Sequence, residues 1–346
     1  MQSRRPISPM LADSSHTTNH VLLLGTLTTP HGSQLRTRIR RMPTAIGVSV
    51  RFVLGHDCFS RLELEAHTHG DLVGLNVSEC SLPADERKQM LSAKVFAWFR
   101  YAATQPFRWY GKTDDDTLVS LPKLRHDLLA AEDASGCRRG HGRCRIHAFY
   151  GAMRWRLFSM ERWKPCGSFT EVGPPDPPPD ELQPTASCIG PFPYADGSLY
   201  VVSAPLAQRA WVGETAQRLA AARPGWSEDI RSGFVVFAES VAQRLPTIWL
   251  SVRRWVDMRF WLDATDASQA AMMDGRVVWV HRMKDGADAN LTASRMRSSK
   301  HVGGRFRCAM SCGEWWRSRP LALHFPPPQS RCCHKVEDSG RQDGEM

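Results

Sequence analysis

Two short apolar runs, residues 20–27 (HVLLLGTL) and 48–54 (VSVRFVL), bracket a basic, helix-compatible stretch at 34–41 (QLRTRIRR). Runs of this length, rich in branched residues and bounded by turn formers, read as buried parallel strands. Strand, crossover and strand is how an α/β domain begins, and α/β is the expected class. Residues 71–77 give a third strand candidate. The strongest helical pattern follows, from about 84 to 103. Leu91, Val95, Trp98 or Phe99, and Ala102 recur at the spacing of one buried face. Asp85 and Glu86 complement the dipole of its first turn.

After that helix, residues 107–112 (FRWYGK) read as a strand running straight into Thr113-Asp114-Asp115-Asp116. Pro122 suits the first turn of a second helix that carries Leu124 and Leu128 on one side. Three adjacent carboxylates are therefore expected where a strand stops and a helix starts. In open α/β sheets, ligands collect at the carboxyl ends of strands. Neighbouring carboxylates repel, and a hard divalent cation that bridges them to a diphosphate relieves the repulsion. A charged turn capping the next helix is the plainer alternative. Placement directly after an apolar strand favours the cation.

Composition excludes several classes. The 346 residues suffice for a substantial core, 42% are hydrophobic, and no apolar run nears the ~18 residues of a membrane span. The charge is +10, but seven Lys/Arg against one acid between Asn290 and Arg319 concentrate it late in the chain, which argues against nucleic acid as a partner. Ten cysteines permit pairing without giving connectivity. The sequons Asn76-Val-Ser and Asn290-Leu-Thr are compatible with a lumenal compartment. Residues 1–19 read as a disordered lead and 20–284 as one domain. A proline-rich insertion occupies 171–184, bracketed by Cys166 and Cys188, which a disulfide would close. Residues 285–346 read as a basic, Cys-containing, disordered tail.

Other candidates are weaker alone. Glu228-Asp229 follows Trp226, and a carboxylate beside a bulky aromatic can serve as a general base, although such pairs also simply begin helices. His281 closes the apolar strand 276–280 and gains interest as a neutral ligand for the cation. Tyr194-Ala-Asp-Gly197-Ser-Leu-Tyr200 reads either as a tight turn whose tyrosines form a sugar-stacking wall or as an ordinary hairpin. Cys308-x3-Cys312 with Cys332-Cys333-His334 fits no standard zinc spacing.

Taken in order, these blocks resemble the β-1,3-glycosyltransferase family that contains the β-1,3-galactosyltransferases, in its algal or plant-like form. FRWYGKTDDDTLVSLPKL at 107–124 is the strongest match, joined by PFPYADGSLYVVS at 191–203, SEDIRSG at 227–233 and VVWVHRMK at 277–284. The resemblance spans about 20–284. It implies a Rossmann-like GT-A nucleotide-sugar fold with a mixed central sheet, a Mn²⁺ cofactor, a UDP-sugar donor and a glycan or glycoprotein acceptor. Asp116 and Asp114 would hold the metal with His281, and Asp114 and Asp115 would also serve the nucleotide. Arg36, Arg38 or Arg40 would assist there, with Arg36 and Arg40 as the nucleotide-binding candidates. Asp229 would be the base, and Tyr194, Gly197, Trp226 and Glu228 would line the acceptor. Members are anchored in the Golgi by one amino-terminal span. The expectation is therefore a lumenal Golgi enzyme, membrane-associated in full-length form, although no anchor is visible in this sequence. The expected activity is inverting transfer of galactose, with N-acetylglucosamine second. A catalytically silent glycan- or partner-binding homologue is the alternative. A phosphoryl-transfer enzyme is a third reading, and it lacks the extra carboxylates for a second metal.

Overall fold

The computed structural model describes residues 20–83, 86, 90–135, 146–159, 164–169, 188–221, 228–252, 256–257, 277–282, 304–311 and 331–337. β1 (Leu22–Leu27) is buried along its length and pairs in parallel with β2 (Val48–Gly55), with the Ser33–Arg40 helix as the crossover. β3 (Leu72–Leu75) extends this parallel run beyond β2. β4 (Trp109–Asp114) instead joins the other side of β1, again in parallel. The chain thus steps outward from β1, then returns across it. That reversal makes a topological switch point of the carboxyl ends of β1 and β4, where Leu27 and Asp114 are register partners. Such switch points are where open α/β sheets place ligands.

Beyond β4 the sheet becomes mixed, as expected. β8 (Cys188–Ser203) runs antiparallel to both β4 and β6 (His147–Ser159), and β6 pairs in parallel with β9 (Thr247–Ser251). β12 (Gly304–Ser311) and β13 (Arg331–Glu337) complete that edge, and β7 (Lys164–Phe169) pairs with β6. The order is β12-β13-β9-β6-β8-β4-β1-β2-β3. A smaller sheet joins β5 (Leu118–Val119), β10 (Val256–Asp257) and β11 (Trp279–His281).

Strand alternation divides the core between two faces. Leu23 and Leu27 join Val95, Phe99, Ile230 and Phe234 from the Leu91–Ala102 and Glu228–Ala242 helices. Leu22 and Leu24 join Leu124 and Leu128 of the Leu121–Ala134 helix on the other face. Trp98 fixes the first face. Its indole N–H donates to the Gly111 carbonyl at 2.9 Å, and its ring lies where a Cβ at Gly25 would sit 2.2 Å away. Only glycine lets that ring lie against β1.

Two expectations need correction. Residues 304–311 and 331–337 belong to the segment read as a disordered tail, yet they are strands of the main sheet, with Phe306 and Cys333 buried. Arg305-Phe306-Arg307-Cys308 alternates with the period of a strand, and the basic composition obscured it. Asp196-Gly197 is not a hairpin turn either. It lies inside the sixteen-residue β8, where pairing jumps from Gly151↔Tyr200 to Met153↔Ala195. The extra residues bulge out, a device that re-aims side chains beside functional sites. Cys333 is disulfide-bonded, in keeping with the lack of a zinc spacing in its segment. The 171–184 insertion, Trp226 and Asn290 lie outside the described residues, as do the side chains of Cys166 and Cys188.

Candidate functional site

Asp114 ends β4, and the chain turns at once, with the Thr117 N–H donating to the Asp114 carbonyl at 3.1 Å. β5 then pairs antiparallel with β11, placing Leu118 opposite Val280 and Val119 opposite Trp279. This two-strand splice carries His281 back over the acidic turn. Its Nε2 lies 3.5 Å from Asp116 Oδ1 and 4.0 Å from Asp114 Oδ2. One donor atom from each of Asp114, Asp116 and His281 falls within 4.8 Å of the others. Arg282 adopts φ +68° immediately after the histidine, a sparsely populated conformation for a non-glycine residue. The three residues expected from the sequence to share a metal are therefore together. Two carboxylates and an imidazole give a mixed oxygen and nitrogen donor set that fits a first-row divalent ion.

Asp115 points elsewhere. The Thr28 hydroxyl donates to its Oδ2 at 2.7 Å, and its N–H donates to the Leu27 carbonyl. Burial, reinforced by the flanking Asp116 and Asp114, raises its pKa against the pull of Thr28. Asp115 thus ties the acidic turn to the loop after β1.

Arg36 and Arg40 do not present free guanidiniums. Arg36 is fully buried. Its Nε and Nη2 donate to both oxygens of Glu65 at 2.8 and 2.6 Å, and its Nη1 donates to the Thr29 carbonyl at 2.6 Å and the Thr28 hydroxyl at 3.2 Å. Arg40 grips both oxygens of Asp71 at 2.8 and 2.9 Å and reaches Glu65. Forked, bidentate pairs of this kind hold geometry well. The pair therefore braces the loop after β1, and through Thr28 it braces Asp115.

The second half of the site begins the Glu228–Ala242 helix. Glu228 Oε1 accepts from the buried Lys112 ammonium at 2.7 Å, and Oε2 accepts from the Tyr200 hydroxyl at 2.9 Å. Burial raises the Glu228 pKa to about 7. Burial also raises that of Asp229, whose Oδ1 accepts from the Ile230 N–H at 2.8 Å. Lys112 also meets Asp114 Oδ1 at 2.8 Å. Burial disfavours its charge, but Asp114 and Glu228 more than compensate and hold its pKa above the ordinary lysine value.

Gly197 is where β8 passes under this helix. A Cβ there would stand 3.0 Å from Glu228 Oε1 and 3.5 Å from Asp229 Cβ. Tyr194 and Tyr200 form no exposed wall, which corrects that expectation. Both are buried in the core face covered by the helix, and Gly233 packs directly on Tyr194. Their places on β8 put both rings under the helix, a burial that aromatic content alone does not reveal.

Three contributors escaped the sequence reading. Lys112, Thr28 and Glu65 carry no motif of their own. Lys112 alone had a signal, as a charge inside an apolar strand, since such residues are rarely fully buried without a partner.

No family model matches this chain, and no curated protein matches it. Among solved structures, similarity is found to a glycosyltransferase involved in the glycosylation of the major capsid of PBCV-1, at 10% identity and a TM-score of 0.32, covering 80% of this chain and 98% of that one. Mouse xyloside xylosyltransferase 1, in its apo form, matches at 11% identity and 0.32, covering 78% and 98%. The inositol-1-phosphate CTP transferase from T. maritima matches at 8% and 0.31, covering 81% and 97%. Likenesses at this level carry no argument about activity.

Proposed function

We propose that the chain is an inverting, Mn²⁺-dependent glycosyltransferase of GT-A type. It would move galactose first, and N-acetylglucosamine second, from a UDP-sugar to a hydroxyl of a glycan or glycoprotein in β-1,3 linkage. One observation carries the reading: the Asp114, Asp116 and His281 cluster and the Glu228-Asp229 pair meet on a single buried ammonium, that of Lys112. A cation centre beside a carboxylate of raised proton affinity supplies what sugar transfer needs, a stabilised leaving group and a base.

When bound, the cation would offset the charge of the departing diphosphate. Asp114, Asp116 and His281 would hold it. The Asp229 carboxylate takes the proton of the acceptor hydroxyl, whose oxygen forms the new bond to the anomeric carbon. The bond to UDP breaks on the opposite face, so the configuration inverts. Sugar and linkage rest on the family resemblance.

One observation favours the silent-homologue reading. Arg36 and Arg40 are engaged by Glu65 and Asp71, so neither is free for a phosphate. Location in the Golgi lumen, with membrane association, belongs to the same proposal. It is supported by the Cys58–Cys80 disulfide, which suits an oxidising compartment, and by the exposed Asn76 of its sequon. No helix among the described residues is long and apolar enough to cross a membrane. Calorimetry of UDP binding with Mn²⁺ and with EDTA decides between the readings. Metal-dependent binding that Asp116→Asn abolishes is expected. Folded protein that ignores UDP in both conditions would put the silent homologue ahead.

A further inference from the structure

Lys112 lies on the last buried stretch of β4 and exposes none of its side chain. Its ammonium is a hub with three partners, each from a different place in the chain. It pairs with Asp114 Oδ1 at 2.8 Å and Glu228 Oε1 at 2.7 Å, and it donates to the Gly197 carbonyl on the β8 bulge. Three donors and three acceptors leave the ammonium satisfied. Because Lys112 holds Oδ1 of Asp114, the other oxygen, Oδ2, is the one that faces His281 Nε2 at 4.0 Å. On the far side, the same ammonium fixes one oxygen of Glu228 while Tyr200 fixes the other, so the first turn of the helix that bears Asp229 is held at both carboxylate oxygens.

We propose that Lys112 is the positioning residue that sets the rotation of the cation-binding carboxylate Asp114 and, through Glu228, the start of the helix carrying Asp229. The inference rests on the reading of Asp114, Asp116 and His281 as a cation site. Lys112 offsets the charge of Asp114 and Glu228, but toward a cation held by Asp114 its own charge is repulsive. What it lends the cation is orientation. A carboxylate with one oxygen pinned offers the other in a fixed direction, and such outer partners are worth about 10- to 100-fold in metal affinity. One side chain then aligns the leaving-group and acceptor sides of the site together.

Substituting Lys112 alone would confuse orientation with charge. At pH 8, where Glu228 is ionised, Lys112→Met/Glu228→Gln removes one positive and one negative charge, keeps the net charge, and nearly keeps the volume. Buried ion pairs often tolerate such neutral replacement. Mn²⁺ affinity, read from the electron paramagnetic resonance signal of free Mn²⁺, is expected to fall about 10- to 100-fold in this variant, with circular dichroism unchanged. Lys112→Arg is the second variant. It keeps the charge but exchanges the compact ammonium for a planar fork, and the same weakening is expected. Wild-type affinity in either folded variant overturns the proposal. Loss of the fold in both makes Lys112 a structural residue and overturns it too. If the wild-type chain binds Mn²⁺ but not UDP, the transferase reading falls and the Mn²⁺ comparison still judges Lys112. If the wild-type chain binds no Mn²⁺, both fall.

Discussion

Glu228 lets the charge arrangement be tested through stability, with no substrate in hand. Its buried carboxyl faces Lys112 and Asp114 from β4, Tyr200 from β8 and Asp229 from its own helix. Burial raises its pKa from 4.5 to about 7, Lys112 opposes the rise, and Asp229 and Asp114 add to it. One ammonium shared among several carboxylates leaves one of them holding its proton. The folded chain therefore keeps a proton at Glu228 over a range where the unfolded chain has released it. For a carboxyl raised in this way, the stabilisation is complete below 4.5 and is lost as pH climbs through 7. The gap between 4.5 and about 7, at ~1.36 kcal/mol per tenfold change in proton affinity, amounts to about 3 kcal/mol. Urea unfolding in EDTA at intervals from pH 5 to pH 8 measures it. Wild-type stability should decline across that range by about 2.5 kcal/mol more than that of Glu228→Gln, which has no proton to lose there. Asp115, also raised by burial, remains in both chains and cancels in the comparison, whereas Asp229 is coupled to Glu228 and belongs to the difference measured. Parallel curves for the two proteins would refute the reasoning, because Glu228 would then ionise in the fold as it does in water.

Asp229→Asn should retain Mn²⁺-dependent UDP binding while transfer drops by roughly 10²- to 10⁴-fold, as expected for loss of a general base; joint loss of binding and transfer would assign Asp229 a structural role. Gly25→Ala should destabilise by about 1–3 kcal/mol, since its Cβ would meet the Trp98 ring at 2.2 Å; an unchanged urea midpoint would mean that the indole has room to move. Cys58→Ser/Cys80→Ser opens a loop of 22 residues and should cost about 3 kcal/mol by chain entropy, which unfolding of the variant against the oxidised wild type would register.

The strands that set the fold were legible because apolar, branched runs leave a strong local mark, strongest in β1, which is buried along its whole length. Residues 20–27, 48–54 and 71–77 read as strands; β1 and β3 form within the first and last, and β2 runs one residue past the second, to Gly55. The expected helix near 84–103 is described as Leu91–Ala102. The far edge was illegible for the opposite reason. β12 alternates apolar and charged residues only over 305–308, β13 not at all, and β12 joins the sheet only through β13, whose partner β9 lies about 80 residues earlier in the sequence. Local composition carries no trace of such a partner.

The same limit governed the site. Asp114, Asp116 and His281 came together as expected because a motif names residue types that a cation requires. The basic helix misled because sequence displays charge and conceals what neutralises it. Arg36 and Arg40 looked available for phosphate, yet Glu65 and Asp71, from 25 to 31 residues away in sequence, meet them first. Their positive charge still serves the site, by a mechanical route. Glu65 holds Arg36, Arg36 holds the loop at Thr28 and Thr29, and the Thr28 hydroxyl holds Asp115 between the two carboxylates that face His281. A turn of three adjacent acids resists its own charge. Here the flanking pair faces His281 as a candidate cation site while the central acid is anchored to the sheet, and that anchor runs back to the arginine that sequence alone would have given to the nucleotide.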